Sequence, residues 1–248
     1  MDSGDFAGGR RAFERAVALY ASLPSAGQPA SVARDRAFAL KRLGAVLMRA
    51  GDFAASEQRY LEALALDEEV TRSDDRPATR YDITFTMSDL ALVKAKRGHW
   101  DDAEAMWMRA LAIRQKAVDD DPKNTRALSG VAVLYGRLGL SAMSRHDAAL
   151  AVNRFRTELG LRSRLMAATG PLPARLSEIG WAKLRLANVL LGRVEAERRH
   201  RDREAWEAEA RQLVASVRRS DGAPSVTAGS EPEFVRLYDR LRARLRTP

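Results

Sequence analysis

A short phrase recurs along this chain at a fixed interval. Gly4-Asp5-Phe6 returns as Gly51-Asp52-Phe53 and again as Gly98-His99-Trp100, each copy 47 residues after the last. An aromatic follows each glycine at an offset of nine: Phe13, Tyr60 and Trp107. His146-Asp147 with Phe155 keeps that offset in a fourth copy, after one inserted residue. Small-plus-aliphatic pairs come next (Ala16-Val17, Ala63-Leu64, Ala110-Leu111), and Pro29, Pro77, Pro122, Pro171 and Pro173 punctuate the intervals. A self-similar period of this length restricts a chain to stacked copies of one supersecondary unit, because one copy cannot bury its apolar face alone.

Each copy reads as two helices. Thr79 to Arg97 carries Ile83, Met87, Leu90, Ala91 and the stem of Lys94 at helical spacing. Gly98 follows as a residue able to take a left-handed conformation at the helix end. Asp101 with Glu104 has the spacing of an N-terminal cap and its acidic partner three residues on. Ala103, Trp107, Ala110 and Leu111 then share one helical face. Asp119-Asp120-Asp121-Pro122 ends that helix, since the residue before a proline is pushed out of helical dihedrals. Sustained period-two alternation and Asn-Gly hairpin turns are missing, so no strands are predicted.

Leu43-Gly44, Gly51-Asp52-Phe53, Ser56, Tyr60 and Ala63-Leu64 resemble the tetratricopeptide repeat pattern. Leu90-Ala91, Gly98, Ala103, Trp107 and Ala110 continue it, as do Leu138-Gly139, Ala151 and Phe155, with His146 replacing the turn glycine. That family repeats about every 34 residues; here the surplus lengthens helices and loops, as in the kinesin light-chain repeats. The stretch ALAIRQKAVDDDPKN (residues 110–124) resembles the arrays that follow the kinase domain in some bacterial serine/threonine protein kinases. The resemblance implies an all-α fold, a right-handed α-solenoid of antiparallel helix hairpins, and a non-enzymatic scaffold that binds a peptide or partner helix in a concave groove. It further implies the C-terminal docking or sensor region of a bacterial signalling kinase.

On this reading an array fills residues 1–219: a half-repeat over 1–22, units over about 30–72, 78–119 and 124–168, and a divergent unit over 174–219. The chain opens with a second helix lacking its first, and that helix's apolar face (Phe6, Phe13, Ala16, Val17, Tyr20) is left bare on one side. This predicts a piece of a longer architecture. Residues 220–232 read as a polar linker. Ser230 and Glu233 form a capping box ahead of a last helix over 233–248, whose face of Phe234, Leu237, Tyr238, Leu241 and Leu245 is expected to cap the final pair.

No chemistry is written in the motifs. There are no cysteines among the 248 residues, which excludes disulfides and thiolate metal sites and suits a cytoplasmic location. His99, His146 and His200 fall at corners of the repeat and do not converge as metal ligands. Phosphate-binding glycine loops, a nucleophile elbow and kinase signatures are lacking, so no catalytic residue and no cofactor is expected. No apolar run reaches the roughly 18 residues a membrane span needs, and the acidic N-terminal MDSGDFAGGRR does not read as a signal peptide.

All but six of the 42 cationic side chains are arginines, and the net charge is +9. This makes a nucleic-acid or acidic-polymer ligand the second reading. Acidic residues interleave with the arginines from 193 to 219, however, which favours solvated helices with i,i+4 pairs. In the family pattern the groove-facing positions are Lys41, Ala45, Met48 and Arg49, then Ser88, Leu92, Ala95 and Lys96, then Gly136, Leu140, Met143 and Ser144. They make a mostly apolar groove with a basic end, suited by its adaptable methionines to an extended peptide or an amphipathic helix. The asparagines that clamp chaperone carboxy-termini in this family are missing from these positions.

Overall fold

In the computed structural model, which describes residues 6–23, 30–197, 200–218 and 231–245, the protein is built of helices, with no strand among the described residues. The fold class is the expected all-α one. The helices are α1 (Phe6–Ser22), α2 (Ala30–Arg49), α3 (Phe53–Ser73), α4 (Pro77–Lys96), α5 (Trp100–Asp120), α6 (Thr125–Ser144), α7 (Ala148–Thr169), α8 (Pro173–Ala196), α9 (Arg203–Ala215) and α10 (Glu231–Arg244). They form two compact units, Met1–Ala117 and Val118–Pro248. Gly4, Asp5, Pro29, Ser230 and most of the expected linker at 220–232 lie outside the described residues.

The recurring phrase makes the corners. Gly51 and Gly98 hold φ of 82° and 88°, and His146, standing where the phrase has lost its glycine, holds 59°. A non-glycine residue is strained there by its Cβ, so the corner geometry is kept at some cost to stability. Asp52 and Asp147 follow, and each side chain accepts a backbone N–H three residues on, from Ala55 and Leu150. These are helix N-caps. The expected cap at Asp101 is displaced, because α5 already begins at Trp100 and Asp101 and Asp102 stand in its first turn. A carboxylate is still favourable there, against the positive end of the helix dipole.

Within each hairpin the aromatic of the second helix seats on the first. Tyr60 is enclosed against Gly44, where an added Cβ would stand 2.9 Å from its ring. Phe155 sits closer still, 2.5 Å from a Cβ on Gly139. Trp107 donates its indole N–H to the Ser88 carbonyl at 3.0 Å. Ser56 adds a bond from its hydroxyl to the Gly44 carbonyl, 2.8 Å. Glycine at these places serves close approach, and its helix-interior cost of roughly 0.5–1 kcal/mol is accepted for it.

In the second unit, α8 and α9 pack as a hairpin and α10 lies across both. Phe234, Tyr238 and Leu241 of α10 enter the core beside Trp181, whose ring meets Phe234 edge-on at 5.3 Å. Leu237 and Leu245 pack at its margin. Arg244 pairs with Glu195 at 2.7 Å, and Arg211 donates to the Leu245 carbonyl at 3.0 Å.

Trp107→Ala empties a fully enclosed site and is expected to cost about 3–5 kcal/mol. Gly139→Val, which pushes a branched side chain into Phe155, should cost about 2 kcal/mol or more. Urea denaturation of the two variants checks both; neutral midpoints would show that the hairpin interface is looser than described.

Candidate functional site

Two first helices of the first unit leave an aromatic side chain exposed. On α2 it is Phe38, 53% exposed, with the Arg42 guanidinium 4.9 Å above its ring. Phe85 on α4, 47 residues later, is 39% exposed. It lies edge-on to Tyr81 at 5.6 Å, and the buried Arg114 of α5 brings its guanidinium to 4.6 Å from the ring. Two aromatics thus stand open to solvent at one repeat position in the first unit, each with a cation against it. Cation–π contacts of this kind contribute about 0.5–2 kcal/mol, depending on burial. Sequence reading passed over both phenylalanines; the signal that could have found them is their 47-residue spacing, the same as that of the corner glycines.

The residues expected to line a groove have different fates. Arg49 and Lys96 are exposed, Ala45 and Leu92 are half-buried, and Met48 packs on the cluster of Tyr60, Leu90 and Val93. Lys41 is turned inward, its ammonium 3.2 Å from Asp67 of α3. Asp67 also accepts the Thr86 hydroxyl of α4, so one carboxylate ties three helices. Ser88 and Ala95 are buried, and the Ser88 carbonyl is already engaged by Trp107. In the second unit Leu140 is exposed, Met143 packs at the core margin, the Ser144 hydroxyl bonds to the Ser141 carbonyl, and Gly136 is buried against Glu158.

Charge runs through the interior as well. Asp67, Arg114 and Arg162 occupy equivalent places on α3, α5 and α7, and both arginines are almost fully enclosed. Arg114 donates to the Thr84 hydroxyl at 2.9 Å. Arg162 donates to Glu158 at 2.8 Å and faces Glu178 at 3.0 Å off the line of a hydrogen bond. Arg185 of α8 also reaches Glu158, at 3.1 Å, and Arg175 reaches Glu178 at 2.9 Å. Burial pushes the Arg185 guanidinium below its ordinary value, with Glu158 opposing. Gly136 makes room for this cluster, since a Cβ there would meet the Glu158 carboxylate at 2.7 Å.

Nearer the surface, burial raises the Glu57 carboxyl, but bonds from Arg97 and Lys94 outweigh it and hold the group below the usual carboxylate range. Lys94, expected to contribute only its stem, bridges Glu57 and Asp102. These are structural pairs between helices. Among the described residues no three His, Asp or Glu side chains converge as metal ligands, and no helix is long and apolar enough to cross a membrane. His200, at the α8–α9 corner, stacks on Trp206 at 4.4 Å and accepts the Asp202 N–H on Nδ1.

Comparison with known proteins agrees with this hairpin architecture. Residues 86–122, from α4 through α5 and its closing loop, match the tetratricopeptide repeat family model. Over those residues the chain carries a tetratricopeptide repeat. No match was found among curated proteins. Among solved structures, BtubC (BKLC) from P. vanneervenii superposes with a TM-score of 0.61 at 19% identity, covering 86% of this chain and 74% of that one. Nearly identical TPR-like repeats of a putative kinesin light chain from Podosopora anserina, and a point-substituted form of them, superpose at 0.53 and 0.55, each at 15% identity and covering 86% and 88% of the two chains. Likeness at these identities is one of fold.

Removing one partner from a buried ionic cluster leaves an uncompensated charge, at a cost of about 3–5 kcal/mol, whereas exposed pairs contribute about 0–1 kcal/mol. Glu158→Gln, which strips the charge shared by Arg162 and Arg185, is expected to fall in the first range, and Glu207→Gln, at the exposed pair with Arg211, in the second. Chemical denaturation of the two variants side by side checks this; equal losses would contradict the burial of the cluster.

Proposed function

We propose that this tetratricopeptide-repeat chain is a non-catalytic scaffold that holds a protein partner, taking a peptide or partner helix on the outward faces of its first helices. The observation that carries the reading is the exposure of Phe38 and Phe85 at one repeat position of consecutive first helices. Large aromatics left in water at a repeated position make a ligand-sized apolar surface, and buried aromatic anchors dominate interface energetics. Arg42 lies over the Phe38 ring, and Arg49 and Lys96 are exposed on the same two helices. The partner we favour therefore presents apolar side chains spaced along an extended or helical segment, with carboxylates beside them. Lys41 acts from behind the face by fixing Asp67, and its replacement would disturb packing as well as binding.

The finer placement, as the C-terminal docking or sensor region of a bacterial signalling kinase in the cytoplasm, rests on the resemblance of residues 110–124 to kinase-linked arrays and belongs to this proposal. The nucleic-acid reading is the weaker one. Arg156 pairs with Glu209, Arg193 with Glu197, Arg211 with Glu207 and Arg244 with Glu195. Cations engaged in this way are not free to displace counterions from a phosphate backbone.

Selection from a displayed random-peptide library against the whole chain tests the reading. Enriched peptides are expected to combine apolar and acidic residues. The double variant Phe38→Ser with Phe85→Ser should lower their affinity by about tenfold or more, roughly 1.4 kcal/mol, while leaving helicity unchanged. Undiminished affinity would remove this face from the binding surface.

A further inference from the structure

α10 stands outside the period that orders the other helices. The connections from α1 through α9 take three to seven residues, whereas fifteen separate Ala215 from Glu231. In the repeat a first helix packs on the second helix before it, as α4 does on α3 and α8 on α7. α10 instead leans mainly on α8, itself a first helix, and less on α9.

Its contact differs in kind as well. The hairpins seat a ring on a backbone, Tyr60 at Gly44 and Phe155 at Gly139. Phe234 of α10 meets another ring, that of Trp181, edge-on at 5.3 Å. Helices that touch through large side chains on both sides stand further apart. Phe234 and Leu241 are fully enclosed and Tyr238 is buried, at i, i+7 and i+4. Beneath them Trp181, Asn188 and Glu195 follow at intervals of seven along one stripe of α8. Phe234 lies at the first, and Arg244 reaches the other two, at 3.3 Å and 2.7 Å. α10 therefore runs along α8 in the same direction. The Glu195 side chain is 65% exposed, so this rim pair sets direction more than affinity.

A helix of 14 residues is marginal by itself in water, so α10 owes its order to the stripe it covers. Undocking it breaks the bond from Arg211 to the Leu245 carbonyl and disturbs no glycine seat. Segments held by few anchors are the ones that open while the rest of a fold stays closed. A connection of this length keeps α10 near its seat at an effective concentration on the order of millimolar. The seat is equally complementary to the same helix from another copy, because exchange of identical elements remakes the same contacts.

We propose that α10 is an exchangeable strap, which opens from α8 as one unit with the hairpins intact. The seat it leaves takes the α10 of a second copy in the same direction, with Phe234 on Trp181 and Arg244 at Glu195. The inference does not rest on the reading of Phe38 and Phe85.

Hydrogen exchange on the whole chain, followed by mass spectrometry, is expected to show the α10 amides opening together. Their exchange should be on the order of a hundredfold faster than that of α6, α7 and α8. Exchange of α10 in step with α8 would make it part of the frame and overturn the proposal. For exchange in trans, the probe is a labelled synthetic peptide of residues 229–248. A chain with Phe234→Ser and Leu241→Ser, whose own strap cannot close, should keep its hairpins and bind the peptide saturably. The unaltered chain should bind it at least about tenfold more weakly, because the tethered copy competes. Glu195→Arg in the open chain should weaken binding by about threefold, and Arg244→Glu in the peptide should restore it. No saturable binding, equal binding to both chains, no rescue by the reversed charges, or unfolding of the hairpins by the two serines each overturns the proposal. Phe38→Ser with Phe85→Ser should leave all of these measurements unchanged, which tells failure here from failure of the binding-face reading.

Discussion

The structure depends on an aromatic ring held against a neighbouring helix where that helix has no side chain to spare. Tyr60 on Gly44 and Phe155 on Gly139 bring two backbones together at a distance that a Cβ would forbid. Dispersion and area burial both favour the arrangement, since a ring flat against a backbone loses little contact to voids. It also fixes register. If the second helix slid by one residue, the ring would meet Leu43 or Leu138, and the hairpin could not close. The left-handed corners at Gly51, Gly98 and His146 then act as consequences of this seating more than as its cause. His146 tolerates a strained φ because the hairpin on either side determines the turn.

Ionic contacts set which helix follows which. Asp67 draws Lys41 from its own first helix and Thr86 from the next, and Glu57 draws Lys94 and Arg97 across the same step. Apolar packing alone is indifferent to exchange among similar units. A carboxylate with donors from two helices is not, because a misplaced pair leaves charge buried. The cluster of Glu158, Arg162, Glu178 and Arg185 performs the same service for α7 and α8 in the second unit. Enclosed charge in this chain is thus better understood as a guide to assembly order than as chemistry awaiting a substrate.

The parts legible in the sequence were those whose physics is local or strictly periodic. Gly51, Gly98 and the aromatics at offset nine announce corners and hairpins because a turn needs a left-handed residue and a seat needs a ring. The last helix was legible from the spacing of Phe234, Tyr238 and Leu241, all of which are buried. Lys41 and Ser88 were harder. A lysine on a first helix has the same pattern whether it points at solvent or at Asp67, and only the neighbouring helix decides. Arg114 and Arg162 would be placed on a wet face by composition, yet they are enclosed, because Thr84 and Phe85 meet Arg114 and Glu158 and Glu178 meet Arg162. Asp101 reads as a cap by spacing, while the helix starts one residue before it.

The exposed aromatics and the frame that folds share one period but differ in what they tolerate. Frame positions accept almost nothing: a glycine under a ring, an alanine between helices. Face positions vary from one first helix to the next, with Phe38 and Phe85 followed by half-buried Val133 at the equivalent place on α6. Repeating the hairpin makes each such residue's height along its own helix predictable from the sequence. What changes from hairpin to hairpin is only the side chain presented there.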